Sequence, residues 1–313
     1  MSGHSRYVRL VFVFLLGSSI CAVIFAGSIV KGITAAIFTK TLAVSQVRIG
    51  DCQISWGKIR YRDIVASGGQ IDQVTIPSLT VTFSARSLAA LTAQRIECQQ
   101  AGFSLQSPAV IVSGITCRFE PLQKKGSVAF HQCSFGKVVL SDMQGELYLE
   151  QSDLVVRQAS VRVFQGIVRF DARLGLARAF FYSVNGNLEG VSLREIERAF
   201  ELEKRVHLDG SLSGTLFVQG DGHTITGLSG TLASPQPGGA IALYDDTMIR
   251  NIAQASQQPI EIIAEGFRDY RYSDGTLLMR TEGGNIIVRL LLEGAAGKRD
   301  ITITVHGDSP ERI

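Results

Sequence analysis

The chain has 313 residues, of which 19% are charged, with 31 Lys and Arg against 28 Asp and Glu and a formal net charge of +3. That balance, without a Lys/Arg run interleaved with aromatics, speaks against a nucleic-acid-binding surface. Thirty-two glycines between short apolar runs, with only seven prolines, predict many turns and hence many short strands.

From Leu10 to Val30 the sequence LVFVFLLGSSICAVIFAGSIV carries no charge. At ~1.5 Å per residue, ~20 residues cross the ~30 Å hydrocarbon core, so the run is long enough to span a membrane. Arg6 and Arg9 precede it and suit a cytoplasmic tip, while Lys31 and Lys40 follow it. The alternative is a cleaved signal peptide cut near Ile24-Phe25-Ala26. That site lacks an A-x-A pattern, and the apolar run exceeds an ordinary signal core. Residues 1–43 therefore read as cytoplasmic tip, anchor and helical extension (Lys31 to Leu42), leading the remainder into an extracytoplasmic compartment.

From Val44 onward the period changes from helical to twofold. Val47-Arg48-Ile49, Ile59 to Arg62, Ile76 to Phe83, Gly145 to Glu150, Val161 to Val163 and Val168 to Leu174 alternate apolar with polar residues. Such alternation marks strands with one wet face. Leu208 to Val218 continues it, with Leu208, Gly210, Leu212, Gly214, Leu216 and Val218 on one face. Ile286 to Leu292 and Ile301 to Val305 repeat it. Short Gly-containing turns between such runs predict an antiparallel meander. Two helices interrupt it. Ser192 to Lys204 opens on a Ser192/Glu195 capping box, and Asp246 to Gln257 has Asp246 as N-cap and Pro259 beyond its end.

Cys52, Cys98, Cys117 and Cys133 follow the anchor, an even number suited to an oxidising compartment. A hairpin turning at Lys124-Lys125-Gly126 sets Cys117 opposite Cys133 as a possible disulfide; buried free thiols are the alternative. No C-x-x-C spacing suggests zinc. His4, His131, His207, His223 and His306 are isolated, and neither a nucleophile elbow nor a P-loop is present. The chain reads as no enzyme, and no metal or cofactor is expected. A sheet that is apolar on one face must cover it. It can pack on a second sheet, close as a barrel or solenoid, or curl into a groove filled by an apolar ligand.

Several segments resemble the AsmA-like bridge-like lipid-transport superfamily of Gram-negative envelopes, and within it the YdbH-like branch. The anchor followed by VRIGDCQISWGKIRYRDI (Val47 to Ile64) looks like that family's start. The strand–short helix–strand segment Gly68 to Gln100 has its recurring shape. Gly190 to Tyr244, with a short helix, G-x-L-x-G strands and a Pro-Gly-Gly turn, and Phe267 to Gly307 carry the closest likeness. The chain is much shorter than the usual member. The resemblance implies a mainly β protein: an N-terminal transmembrane helix, then a long curled antiparallel sheet, a taco-like β-groove, with two or three short helices. Residues 44–190 form its N-terminal part and 191–313 its YdbH-like C-terminal part.

It further implies a single-pass inner-membrane protein whose periplasmic domain carries phospholipid between inner and outer membrane. The lining expected for such a groove is Val161, Val163, Val168, Phe170, Leu212, Leu216, Val218, Ile286, Val288, Leu290 and Leu292, residues that ordinary core packing explains as well. Phe164 and Phe217 fall on the opposite parity. On the order of 20 strands at ~4.8 Å each give a sheet of roughly 100 Å with an unpaired last edge. A second copy or an outer-membrane protein continuing the sheet by β-augmentation is the expected partner. The competing expectation is a structural envelope-assembly or secretion component with a filled β-solenoid.

Overall fold

The computed structural model describes residues 31, 34, 45–69, 71–90, 92–106, 109–151, 153–175, 181–221 and 224–305. The run Leu10–Val30, the tip expected to be cytoplasmic and most of the expected extension lie outside the described residues; of that region Lys31 and Thr34 are described, both helical. Among the described residues no helix is long and apolar enough to cross a membrane.

Strands dominate, as the twofold alternation predicts. They are β1 (Gln46–Ser55), β2 (Lys58–Gly68), β3 (Ile71–Thr82), β4 (Arg95–Leu105), β5 (Val110–Glu120), β6 (Lys125–Phe135), β7 (Val138–Glu150), β8 (Asp153–Val163) and β9 (Gly166–Gly175). After them come β10 (Phe181–Ser192), β11 (Val206–Asp209), β12 (Ser211–Asp221), β13 (Thr224–Ser234), β14 (Gly239–Leu243), β15 (Tyr270–Tyr272), β16 (Asp274–Glu282), β17 (Asn285–Gly294) and β18 (Gly297–Val305). Four short helices interrupt them: α1 (Ala85–Ala89), α2 (Leu193–Ala199), α3 (Asp246–Ser256) and α4 (Ile260–Gly266). The main sheet has 15 antiparallel strands in the open order β1 through β10, then β12-β13-β16-β17-β18, and β11-β14-β15 form a small second sheet. Contacts divide the chain into two units, Met1–Cys133 and Ser134–Ile313.

Many strands outlast the alternating runs because bulges reset their parity. In β2 the apolar members are Ile59 and Tyr61, then Ile64 and Ala66, with Asp63 at φ 53° between them. In β4 Gln100 (φ 54°) separates Cys98 from Ala101, and in β8 Gln158 (φ 51°) separates Val156 from Ala159. Gly190 (φ 65°) does the same between Leu188 and Val191 of β10. At Gln100, Gln158 and Gly190 one extra residue bends the strand and returns apolar side chains to the same face, while at Asp63 the register runs on unshifted against both neighbours. Neighbouring strands bind the displaced amides: Gln158 N donates to Asp171 Oδ1 at 2.8 Å, and Gly190 N to Ser213 Oγ at 3.0 Å. The opposite, wet face carries cross-strand ion pairs, among them Arg95–Glu120 at 3.3 Å, Arg173–Glu150 at 3.0 Å and Arg169–Glu189.

The expected single strand Leu208–Val218 is in fact two strands in two sheets. Gly210 at φ 114° breaks it, so Leu208 pairs with Ile241 in the small sheet while Leu212 pairs with Val191 in the large one. Leu193 N donates to Gly210 O at 3.0 Å, and the Tyr272 hydroxyl to Asp209 O at 3.1 Å, holding the corner on both sides. Helix α2 begins where Ser192 predicts, with its hydroxyl accepting from Glu195 N at 3.3 Å, but ends at Ala199 rather than Lys204. The helix at Asp246 is capped one residue earlier than expected: the Asp245 carboxylate accepts from Thr247 N at 2.7 Å.

Candidate functional site

In the unit Ser134–Ile313 the strand registers define a single apolar face. One cross-strand row runs Ala159–Phe170–Gly186–Leu216–Gly230–Met279–Val288–Ile303. The next runs Val161–Val168–Leu188–Gly214–Leu232–Leu277–Leu290–Ile301. Val156–Ala172–Val184–Val218–Leu228 forms a third. Directly opposed residues of an antiparallel pair share a face, and residues two apart along an unbulged strand do also. Val163 lies two residues from Val161, Leu212 two from Gly214, and Ile286 and Leu292 two from Val288 and Leu290. All eleven residues singled out by alternation therefore lie on this one face. Leu188, Val184, Leu228, Leu232, Leu277 and Met279 belong to it as well. Their signal was present in the alternation of β10, β13 and β16, diluted there by glycines.

Burial varies along the face. At its C-terminal end α3, α4 and the small sheet cover β17 and β18. Leu292 (4% exposed) and Ile301 (4%) join Val206, Ile263, Phe267 and Tyr270 in one core, with Leu290 and Ile303 packed against it. Glu197 of α2 ties that helix to β11. It is buried, accepts a hydrogen bond from Leu208 N at 2.7 Å and lies 3.4 Å from His207 Nδ1. Over β8–β13 Val163, Val168, Phe170, Leu212, Leu216 and Val218 are half-buried, among the buried Ala159 (0% exposed), Val161 (5%) and Leu232 (5%). Between the two regions lies an apolar cavity of about 180 Å³, bounded by Leu208, Leu212, Tyr272, Leu277, Leu290 and Leu292 among others.

Phe164, expected on the other parity, sits in the left-handed β8–β9 turn (φ 46°) and packs on Phe200, ring centroids 6.5 Å apart. Phe217 pairs with Asn185 and Ser229 on the wet face and is half-buried.

The unit Met1–Cys133 has its own apolar face. Ile49–Ile64–Ile76 and Cys52–Tyr61–Leu79–Cys98–Cys117 are in register across it. The helical residues before β1 are tied to these strands: the Thr34 and Tyr61 hydroxyls are 2.9 Å apart, and Lys31 Nζ donates to Gly50 O at 2.9 Å. The register sets Cys117 opposite Cys98 rather than Cys133. The turn after β5 falls at Pro121–Lys124, and a Cβ on Gly114 would lie 2.8 Å from that of His131. Cys117 is three residues from Gly114 on the turn side, and Cys133 two residues beyond His131 on the other, so the two diverge. Cys52, Cys98, Cys117 and Cys133 are all free thiols.

Among the described residues no group of three or more His, Cys, Asp or Glu is placed to hold a metal ion. No family model, no curated protein and no solved structure matches the chain.

Proposed function

We propose that the chain is a membrane-anchored, non-enzymatic lipid-transfer protein of the AsmA-like, YdbH-like kind. It resides in the inner membrane of a diderm bacterium, with its β-rich part in the periplasm. Its apolar sheet face shields phospholipid acyl chains on their way between inner and outer membrane. The observation that carries this reading is the half-covered stretch of apolar residues on β8–β13, Phe170, Leu216 and Val218 foremost, opposite a wet face of paired charges. An acyl chain is the apolar cover that a nearby membrane supplies in quantity. The order of the large sheet ends at β18, whose outer edge is where a second copy or an outer-membrane protein adds strands.

The filled core over β17 and β18 favours a second reading, a structural envelope-assembly component whose face is packed by protein alone. Purifying the full chain in mild detergent and extracting it for mass spectrometry separates the two. Stoichiometric phospholipid that survives washing supports the conduit, and a lipid-free, stable chain favours the scaffold.

A further inference from the structure

We propose that one end of the unit Met1–Cys133 rests on an anionic lipid surface through Trp56. The β1–β2 hairpin tip presents Trp56 fully to solvent. It adjoins α1, because Phe83 N donates to Gly57 O at 2.7 Å and α1 begins at Ala85. The β5–β6 turn lies at the same end, since Thr82 pairs with Arg95 and Arg95 meets Glu120 at 3.3 Å. Three chain reversals thus bring Trp56, Leu88 and Leu122 together, each exposed, with the exposed cations Arg86, Lys124 and Lys125 among them. Two carboxylates near this end are already engaged: Glu120 lies 3.3 Å from Arg95 and 3.5 Å from Arg118, and Glu97 lies 3.9 Å and 3.8 Å from the same two. Exposed apolar side chains, one of them an indole, interleaved with unopposed cations suit the headgroup layer of an anionic bilayer.

The cations of this end and the chain's own uncharged run argue for a membrane rather than a protein partner. The uncharged run Leu10–Val30 ends immediately before Lys31, and Lys31 is bonded to Gly50 of the strand that carries Trp56 at its end. The lipid contact at Trp56 rests on the membrane-spanning reading of Leu10–Val30 and is independent of whether the sheet face carries lipid.

Trp56 is the chain's single tryptophan, so its fluorescence reports this contact alone. The full chain is reconstituted into phosphatidylcholine–phosphatidylglycerol vesicles with and without brominated acyl chains. The expected result is a blue-shifted emission that loses most of its intensity to the brominated lipid. The triple variant Arg86→Glu, Lys124→Glu, Lys125→Glu should recover the emission while still floating with the vesicles. Three results overturn the proposal. One is a wild-type chain that floats with the vesicles yet keeps a solvent-exposed, unquenched Trp56. Another is a chain that does not float at all. The third is protection of Trp56 from acrylamide without lipid and in step with protein concentration, which assigns the surface to a second copy. Phospholipid co-purifying with the triple variant stays at the wild-type level, which keeps this test separate from that of the lipid-transfer reading.

Discussion

Leu216 stands in register between two glycines, Gly186 of β10 and Gly230 of β13, so no neighbouring side chain closes over it from either directly opposed position. On the same face Leu290 stands between Leu277 and Ile301, beside Leu292 and the core formed by α3, α4 and the small sheet. Two leucines of the same face thus meet different surroundings, and they should answer substitution differently.

Leu216→Asp is expected to leave thermal unfolding, followed by circular dichroism, nearly unchanged, because a carboxylate there reaches water. Leu290→Asp places an unpaired charge against a packed core and should cost about 3 kcal/mol or more, seen as aggregation or early unfolding. Leu216→Asp should also lower co-purified phospholipid. Equal destabilisation by the two substitutions would mean that the face is filled throughout.

Gly210 tests the corner that divides the two sheets. Its φ of 114° and the approach of an added Cβ to the Tyr272 hydroxyl (2.8 Å) and Gly238 O (3.0 Å) make Gly210→Ala a strained substitution. The expected loss is about 1–3 kcal/mol, measured as a shift of the urea midpoint at constant slope. Gly136 lies in a left-handed turn with open space around it (φ 56°, no atom within 4 Å of an added Cβ). Gly136→Ala should therefore cost less than Gly210→Ala.

Glu197→Ala removes the acceptor of the Leu208 amide and leaves that amide unpaired. A loss of about 1–3 kcal/mol is expected, and Glu197→Gln, which retains an acceptor oxygen, should recover part of it. Hydrogen exchange at the Leu208 amide is the local readout, faster in the alanine variant than in the glutamine one.

The thiols supply a pH test. Burial pushes the Cys98 thiol up, Cys117 opposite it pushes the same way, and a backbone hydrogen bond from Ala101 offsets part of this. Burial also raises Cys117. A raised thiol pKa means less thiolate at neutral pH, so maleimide should label both more slowly than free cysteine at pH ~7, with the rate climbing past the usual thiol range of ~8.5. Under a disulfide-forming oxidant, peptide mapping should find a Cys98–Cys117 bridge in preference to Cys117–Cys133.

Much of the strand content was legible because alternation is imposed residue by residue wherever one face is wet and the other apolar. The eleven residues read from Val161 to Leu292 share a face for that reason. Bulges were harder to see. Gln100 and Gln158 reset parity through a left-handed φ that a Gln does not announce, and only the register reveals it. The split at Gly210 was masked because Leu208 and Leu212 keep the same parity on either side of the break. The cysteine register depended on where a four-residue turn falls, and a shift of the reversal from Lys124-Lys125-Gly126 to Pro121–Lys124 moved Cys117 from Cys133. The core over β17 and β18 depends on helices folding back onto them, a long-range packing choice that strand periodicity does not encode.

The most direct measurement places a photo-crosslinking benzoylphenylalanine at single positions of the full chain in its native membrane. The account predicts phospholipid adducts from Phe170, Leu216 and Val218 and none from Thr215 or Phe217 on the wet face. Absence of lipid adducts from all five positions, or equal adducts from both faces, would contradict it.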